Sequence, residues 1–119
     1  MNTNIKLNAP SGFEIIRIVK EQGYPFTWLK VLFRYRGKLY SAGYKDTVNN
    51  LNNFEDTDRA ISVYDERNSE WHHFITKAYI ESVANEDFNG KKVDDDTLCR
   101  YFASCFRAVE ELTSTNPLP

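Results

Sequence analysis

Residue types that usually announce a chemistry are scarce in this chain of 119 residues, which has two cysteines, two histidines, five glycines and one methionine. Cys99 and Cys105 form no Cys-x-x-Cys pair, so neither a zinc ribbon nor a thioredoxin-like redox motif is encoded. On one helix, six steps of about 100° turn the two thiols away from each other, which argues against a disulfide between them. The glycines form no Gly-x-Gly-x-x-Gly and no P-loop, and His72-His73 belongs to no His-Glu-x-x-His element. No apolar run is long enough for a transmembrane helix. The first residues, Met1 to Lys6, lack the apolar stretch of a secretory signal, and with so few cysteines the expectation is a cytoplasmic protein.

Aromatic residues are plentiful, with two Trp, seven Tyr and eight Phe in a chain that is 41% hydrophobic. Each aromatic can remove roughly 150–250 Å² from water on burial, so one ordinary domain core is within reach. The expected organisation is a single domain over 1–119 with a flexible polar arm at 1–11 and a tail at 113–119. Charge is sorted along the chain. Residues 1–45 carry eight basic and two acidic side chains, and residues 46–119 carry seven basic and fifteen acidic ones, so that +6 and −8 give the net −2. Such asymmetry points to partners rather than to fold.

Phe13 to Lys20 has three isoleucines and a valine, which favours a strand, although Ser11-x-x-Glu14 has capping-box spacing that would suit a helix. Thr27 to Lys45 gives the clearest β signal. With Arg36-Gly37 as a two-residue turn, Tyr35 pairs with Lys38, Phe33 with Tyr40, Val31 with Ala42 and Leu29 with Tyr44. One face then holds Leu29, Val31, Phe33, Tyr35, Tyr40, Ala42 and Tyr44, and the other holds Trp28, Lys30, Leu32, Arg34, Leu39, Ser41 and Lys45. A three- or four-residue loop would move this register. Asp46 to Asp58 reads as a long Asn-rich loop, and Ala60 to Tyr64 as a short strand closed by a polar turn at Asp65 to Asn68. Trp71, Phe74, Ile75, Ala78, Tyr79 and Ser82 follow helical spacing, with Asn68 or Ser69 as N-cap. A second helix opens at Asp94-Asp95-Asp96 and aligns Leu98, Tyr101, Phe102, Cys105, Val109 and Leu112. The expected fold is α+β, an antiparallel β-meander of three to four strands followed by two amphipathic helices packed on one face.

Candidate chemistry is thin. Adjacent histidines on a helix point about 100° apart and cannot share one ion, so no metal site is expected there. Asp87-Phe88-Asn89-Gly90 has a superficial likeness to a calcium loop, but the spacing fails and no closing glutamate follows. The aspartates at 94–96 suit a helix N-terminus, where carboxylates satisfy backbone N–H groups and complement the dipole, while exceeding what one cap requires. Cys105 lies on the apolar stripe, and no nucleophile–base arrangement is encoded. No cofactor is expected.

Two surfaces remain. The first is acidic: Glu55, Asp56, Asp58, Glu86, Asp87, Asp94, Asp95 and Asp96, able to steer onto a basic groove of a partner protein. That profile is shared by compact inhibitors of the immunity or phage anti-defence type, and it makes a small non-enzymatic protein-binding module the leading expectation. The second is the basic aromatic hairpin, where Trp28, Lys30, Arg34, Arg36, Lys38 and Lys45 would combine phosphate attraction with a stacking surface. An enzyme without a recognisable motif is the third alternative.

Overall fold

The computed structural model describes residues 6–23, 26–45, 60–88, 91 and 93–114; at 21–23, 26–28 and 45 the description is of backbone alone. Five strands, β1 (Phe13–Gly23), β2 (Phe26–Tyr35), β3 (Lys38–Lys45), β4 (Ile61–Asp65) and β5 (Glu70–Ile75), form one antiparallel sheet in chain order. Two helices follow, α1 (Lys77–Ala84) and α2 (Asp95–Ser114). The α+β architecture is therefore as the sequence implies, with one strand more than the three to four expected. The Asn-rich segment lies outside the described residues.

The β2–β3 register matches the sequence reading: Tyr35 faces Lys38, Phe33 faces Tyr40, Val31 faces Ala42, Leu29 faces Tyr44 and Trp28 faces Lys45. Arg36 and Gly37 both have positive φ, 52° and 79°, the two-residue turn whose twist suits a tight hairpin. All seven residues assigned to the apolar face are buried, none above 7% exposed.

On β1 the strand reading holds and the capping-box alternative does not. Strict alternation would place Ile15 and Ile18 on opposite faces. A bulge between Ile15 and Arg17 resolves the conflict, because Ile15 pairs with Phe33 and Ile18 with Val31, both on the core side. Ile16 is the inserted residue and is 46% exposed. The same shift turns Arg17 to the opposite face, across from Leu32.

The helix expected from Trp71 onward is corrected. Glu70–Ile75 is the fifth strand, and α1 starts only at Lys77, with Thr76 as its N-cap accepting from the Tyr79 N–H at 3.3 Å. A second bulge explains the misleading pattern. Ile61 pairs with Ile75 and Ser62 with His73, so Phe74 is an extra residue. Phe74 and Ile75 consequently both pack against the core, which imitates helical spacing. The β4–β5 turn is held by Asp65, which accepts from the Arg67 N–H at 3.0 Å and the Asn68 amide at 2.8 Å. Ser69 takes the positive φ of 54° that closes it.

Both helices cover the same face. Phe106 of α2 meets Phe13 and Phe33 with ring centroids 5.1 Å away in each case. Tyr101 meets Tyr44 at 4.6 Å and Phe88 at 5.3 Å. The α2 stripe expected from the sequence is the one that is buried, from Leu98 through Val109. Helix α1 adds Ile80 to this core and docks on α2, where Arg107 donates to the Val83 carbonyl at 3.1 Å and the Tyr79 hydroxyl donates to Glu111 at 3.2 Å. From Leu7 the N-terminal arm also packs against the core, through Leu7 and Ala9. Among the described residues, no helix is long and apolar enough to cross a membrane.

Candidate nucleic-acid interface

With both helices on one side, the other face of the sheet carries no helix among the described residues. Strand pairing orders its side chains in rows. One row is continuous across all five strands: Arg17, Leu32, Ser41, Ser62 and His73 stand opposite one another in turn. The neighbouring row begins Glu14, Arg34, Leu39 and continues, one step beyond the Tyr40–Val63 pair, to Tyr64 and Trp71. A third holds Val19, Lys30 and Gly43. Arg17, Lys30, Arg34 and His73 are exposed. Trp71 is 44% exposed, and its ring lies 5.1 Å from that of Tyr64, tilted by 56°. Three cations thus face one carboxylate, Glu14, among the side chains described on this surface.

The basic candidates divide. Lys30 and Arg34 share the open face. Arg36, in the hairpin turn, lies over the Tyr35 ring at 5.3 Å, a cation–π contact that holds it at the end of the sheet. Lys38 is exposed at the far side of the turn, on the parity of the core face because it pairs with Tyr35. Trp28 and Lys45 pair with each other in the last row, and their side chains lie outside the described set.

Of the five acidic candidates among the described residues, Glu86, Asp94 and Asp96 bond to other groups of the molecule. Asp94 caps α2, accepting from the Thr97 N–H at 2.8 Å. Asp96 accepts from the Arg100 guanidinium at 3.1 Å, and Arg100 also bonds Glu86, which Lys91 approaches at 3.4 Å. The Arg100 hydrogen bond, with Lys91 adding to it, holds the Glu86 carboxyl below the usual glutamate range. Asp87 and Asp95 are exposed. Glu55, Asp56 and Asp58 lie outside the described residues. Asp94 therefore caps the helix, Asp96 pairs within its first turns, and Glu86 ties the loop before α2 to Arg100.

The remaining chemistry-bearing groups are quiet. Burial pushes the Tyr101 hydroxyl and the Cys105 thiol well above their ordinary pKa values, so both stay protonated. Cys99 is exposed, and neither cysteine is in a disulfide. His72 and His73 sit on a strand and not on a helix. His73 joins the open face, and His72 turns the other way, its Nε2 3.2 Å from Asp65 and 3.7 Å from Glu70. Among the described residues, no group of three or more His, Cys, Asp or Glu side chains could hold a metal ion.

Arg17, Tyr64, Trp71 and His73 were not candidates in the sequence. Arg17 reaches this face only through the β1 bulge. The other three follow from the β4–β5 hairpin, whose signal was present as two aromatic-containing runs flanking the polar turn at 66–69.

Comparison with protein-family models, with curated protein sequences and with solved structures returns no match to this chain.

Proposed function

We propose that this protein is a non-enzymatic nucleic-acid-binding module that uses the open face of its sheet. One observation carries the reading. Cations from two strands, Arg17 on β1 with Lys30 and Arg34 on β2, share with the exposed Trp71 and its half-buried neighbour Tyr64 the face that neither helix covers. Cationic side chains on such a surface attract phosphates and release condensed counterions, which makes binding fall with added salt. Among the described residues from Lys77 to Ser114, eight acidic side chains stand against four basic ones, of which Arg100 and Lys91 pair with Glu86 and Asp96. The described helical segment is thus acidic where the described side chains of the open face are basic.

The test is a binding titration with a labelled oligonucleotide at several salt concentrations, using the protein and its Arg17→Gln/Arg34→Gln variant. Binding should weaken as salt rises. For a single strand the variant should lose about 0.7 from the slope of log affinity against log salt for each phosphate contact removed. Absence of binding at low salt, or a variant indistinguishable from the parent, would contradict the proposal. Capture of a basic protein that depends on Asp87 and Asp95, with no nucleic acid bound, would instead restore the acidic docking surface.

A further inference from the structure

We infer that the open face discriminates between paired and unpaired nucleic acid and takes a single strand laid across the β-strands, with phosphates at Arg17 and Arg34 and an unstacked base against Trp71, an inference that rests on the nucleic-acid reading above.

Width is the first argument. The continuous row from Arg17 to His73 crosses four inter-strand steps, about 19 Å at the usual strand spacing of roughly 4.8 Å. A surface that broad cannot enter a major groove about 12 Å wide, which admits one helix or a two-stranded ribbon. Duplex bases would stay out of its reach, and only the backbone of a duplex could touch it.

Chemistry along the rows is the second argument. The cations stand on β1 and β2, whereas the aromatics Tyr64, Trp71 and His73 stand on β4 and β5. Between them one row is small and polar, with Ser41 opposite Ser62, while the neighbouring row carries the half-buried Leu39. A duplex backbone would meet phosphate partners at one end and an indole ring at the other, where it has no use for the ring. A single strand offers both kinds of group, since its bases can splay onto aromatic side chains and its backbone can follow the cations. Trp71 is 44% exposed although it is one of the largest apolar side chains, and a stacked base would cover that surface. The Tyr64 ring beside it, tilted by 56°, leaves the indole as the leading platform rather than forming a parallel stack with it. The two serine hydroxyls and the His73 ring can donate to or accept from base edges, without requiring one particular base.

The experiment compares three labelled probes, oligothymidylate, oligouridylate and a DNA duplex of the same length, at low salt. It uses the full chain, Trp71→Ala, Trp71→Phe and Arg17→Gln/Arg34→Gln. Because Trp71 is exposed, its replacement should leave the fold intact, which circular dichroism checks. One or both single strands should bind at least tenfold more tightly than the duplex. Trp71→Ala should weaken that binding about tenfold, as loss of a stacking partner does, and Trp71→Phe should recover most of it. Comparing the two single strands identifies whether deoxyribose or ribose is preferred. Equal affinity for duplex and single strands, with Trp71→Ala unchanged and the double variant weakened, would overturn this inference while leaving the nucleic-acid reading standing. No binding of any probe would overturn both.

Discussion

The Tyr101 hydroxyl donates to the Gly43 carbonyl at 2.8 Å, a bond that ties the middle of α2 to β3 across 58 residues of sequence. Tyr101 is 1% exposed, and its ring packs between Tyr44 and Phe88. This one side chain therefore joins sheet, helix and the segment before α2. Tyr101→Phe keeps the ring and removes the bond, so it should cost about 1 kcal/mol in urea-induced unfolding. Tyr101→Ala should cost about 3–5 kcal/mol, because a cavity replaces the ring at the centre of the core. Equal effects of the two substitutions would show that the ring contributes nothing beyond its hydroxyl.

The hairpin turn is the second place where one residue type is required. Gly37 has φ of +79°, and a Cβ there would meet nothing within 4 Å. Gly37→Ala should therefore destabilise through backbone conformation alone, by about 1–2 kcal/mol in chemical unfolding. An unchanged midpoint would mean that the turn relaxes to another form.

Asp94 separates capping from docking. If its role is to accept the Thr97 N–H, Asp94→Ala should cost about 1 kcal/mol and Asp94→Asn much less, since the amide oxygen also caps. Thermal unfolding of the two variants reads the difference. Equal losses would assign Asp94's contribution to its charge and not to the cap.

Acid should loosen the rims of the fold before its core. Asp65 is held below the ordinary aspartate value of 3.8, chiefly by the Asn68 amide and then by His72. Glu86 is held below the ordinary glutamate value of 4.5, chiefly by Arg100. Both folded values are depressed, so their stabilisation is present above those ordinary values and is lost as pH falls through the lower folded ones. Melting temperature should decline in that acidic window, and the decline should be shallower in Arg100→Met. An equally steep decline in that variant would remove Glu86 from the acid response.

Legibility in the sequence followed how regular each element is. The β2–β3 register could be read because alternation is unbroken from Leu29 to Tyr44 around one Gly-containing turn. The α2 stripe could be read because twenty residues keep one helical period. The helix misread from Trp71 onward sits at one bulge, and the face of Arg17, which the sequence reading left unassigned, depends on another. One extra residue at Ile16 and another at Phe74 break the period of two, and each reverses the outward face of the residues beyond it. Those two reversals deliver Arg17, His73 and Trp71 to the open sheet face. The pairing of the acidic candidates was not legible for a different reason: composition counts charges without showing that Arg100 would be drawn between Glu86 and Asp96.

The most direct test of the account is a two-dimensional ¹⁵N–¹H NMR titration of the labelled protein with oligothymidylate. The open-face reading predicts shift changes clustered at Arg17, Leu32, Arg34, Ser62, Tyr64, Trp71 and His73, with the amides of α1 and α2 nearly unmoved. Changes concentrated between Glu86 and Arg100, or no changes at saturating oligonucleotide, would contradict it.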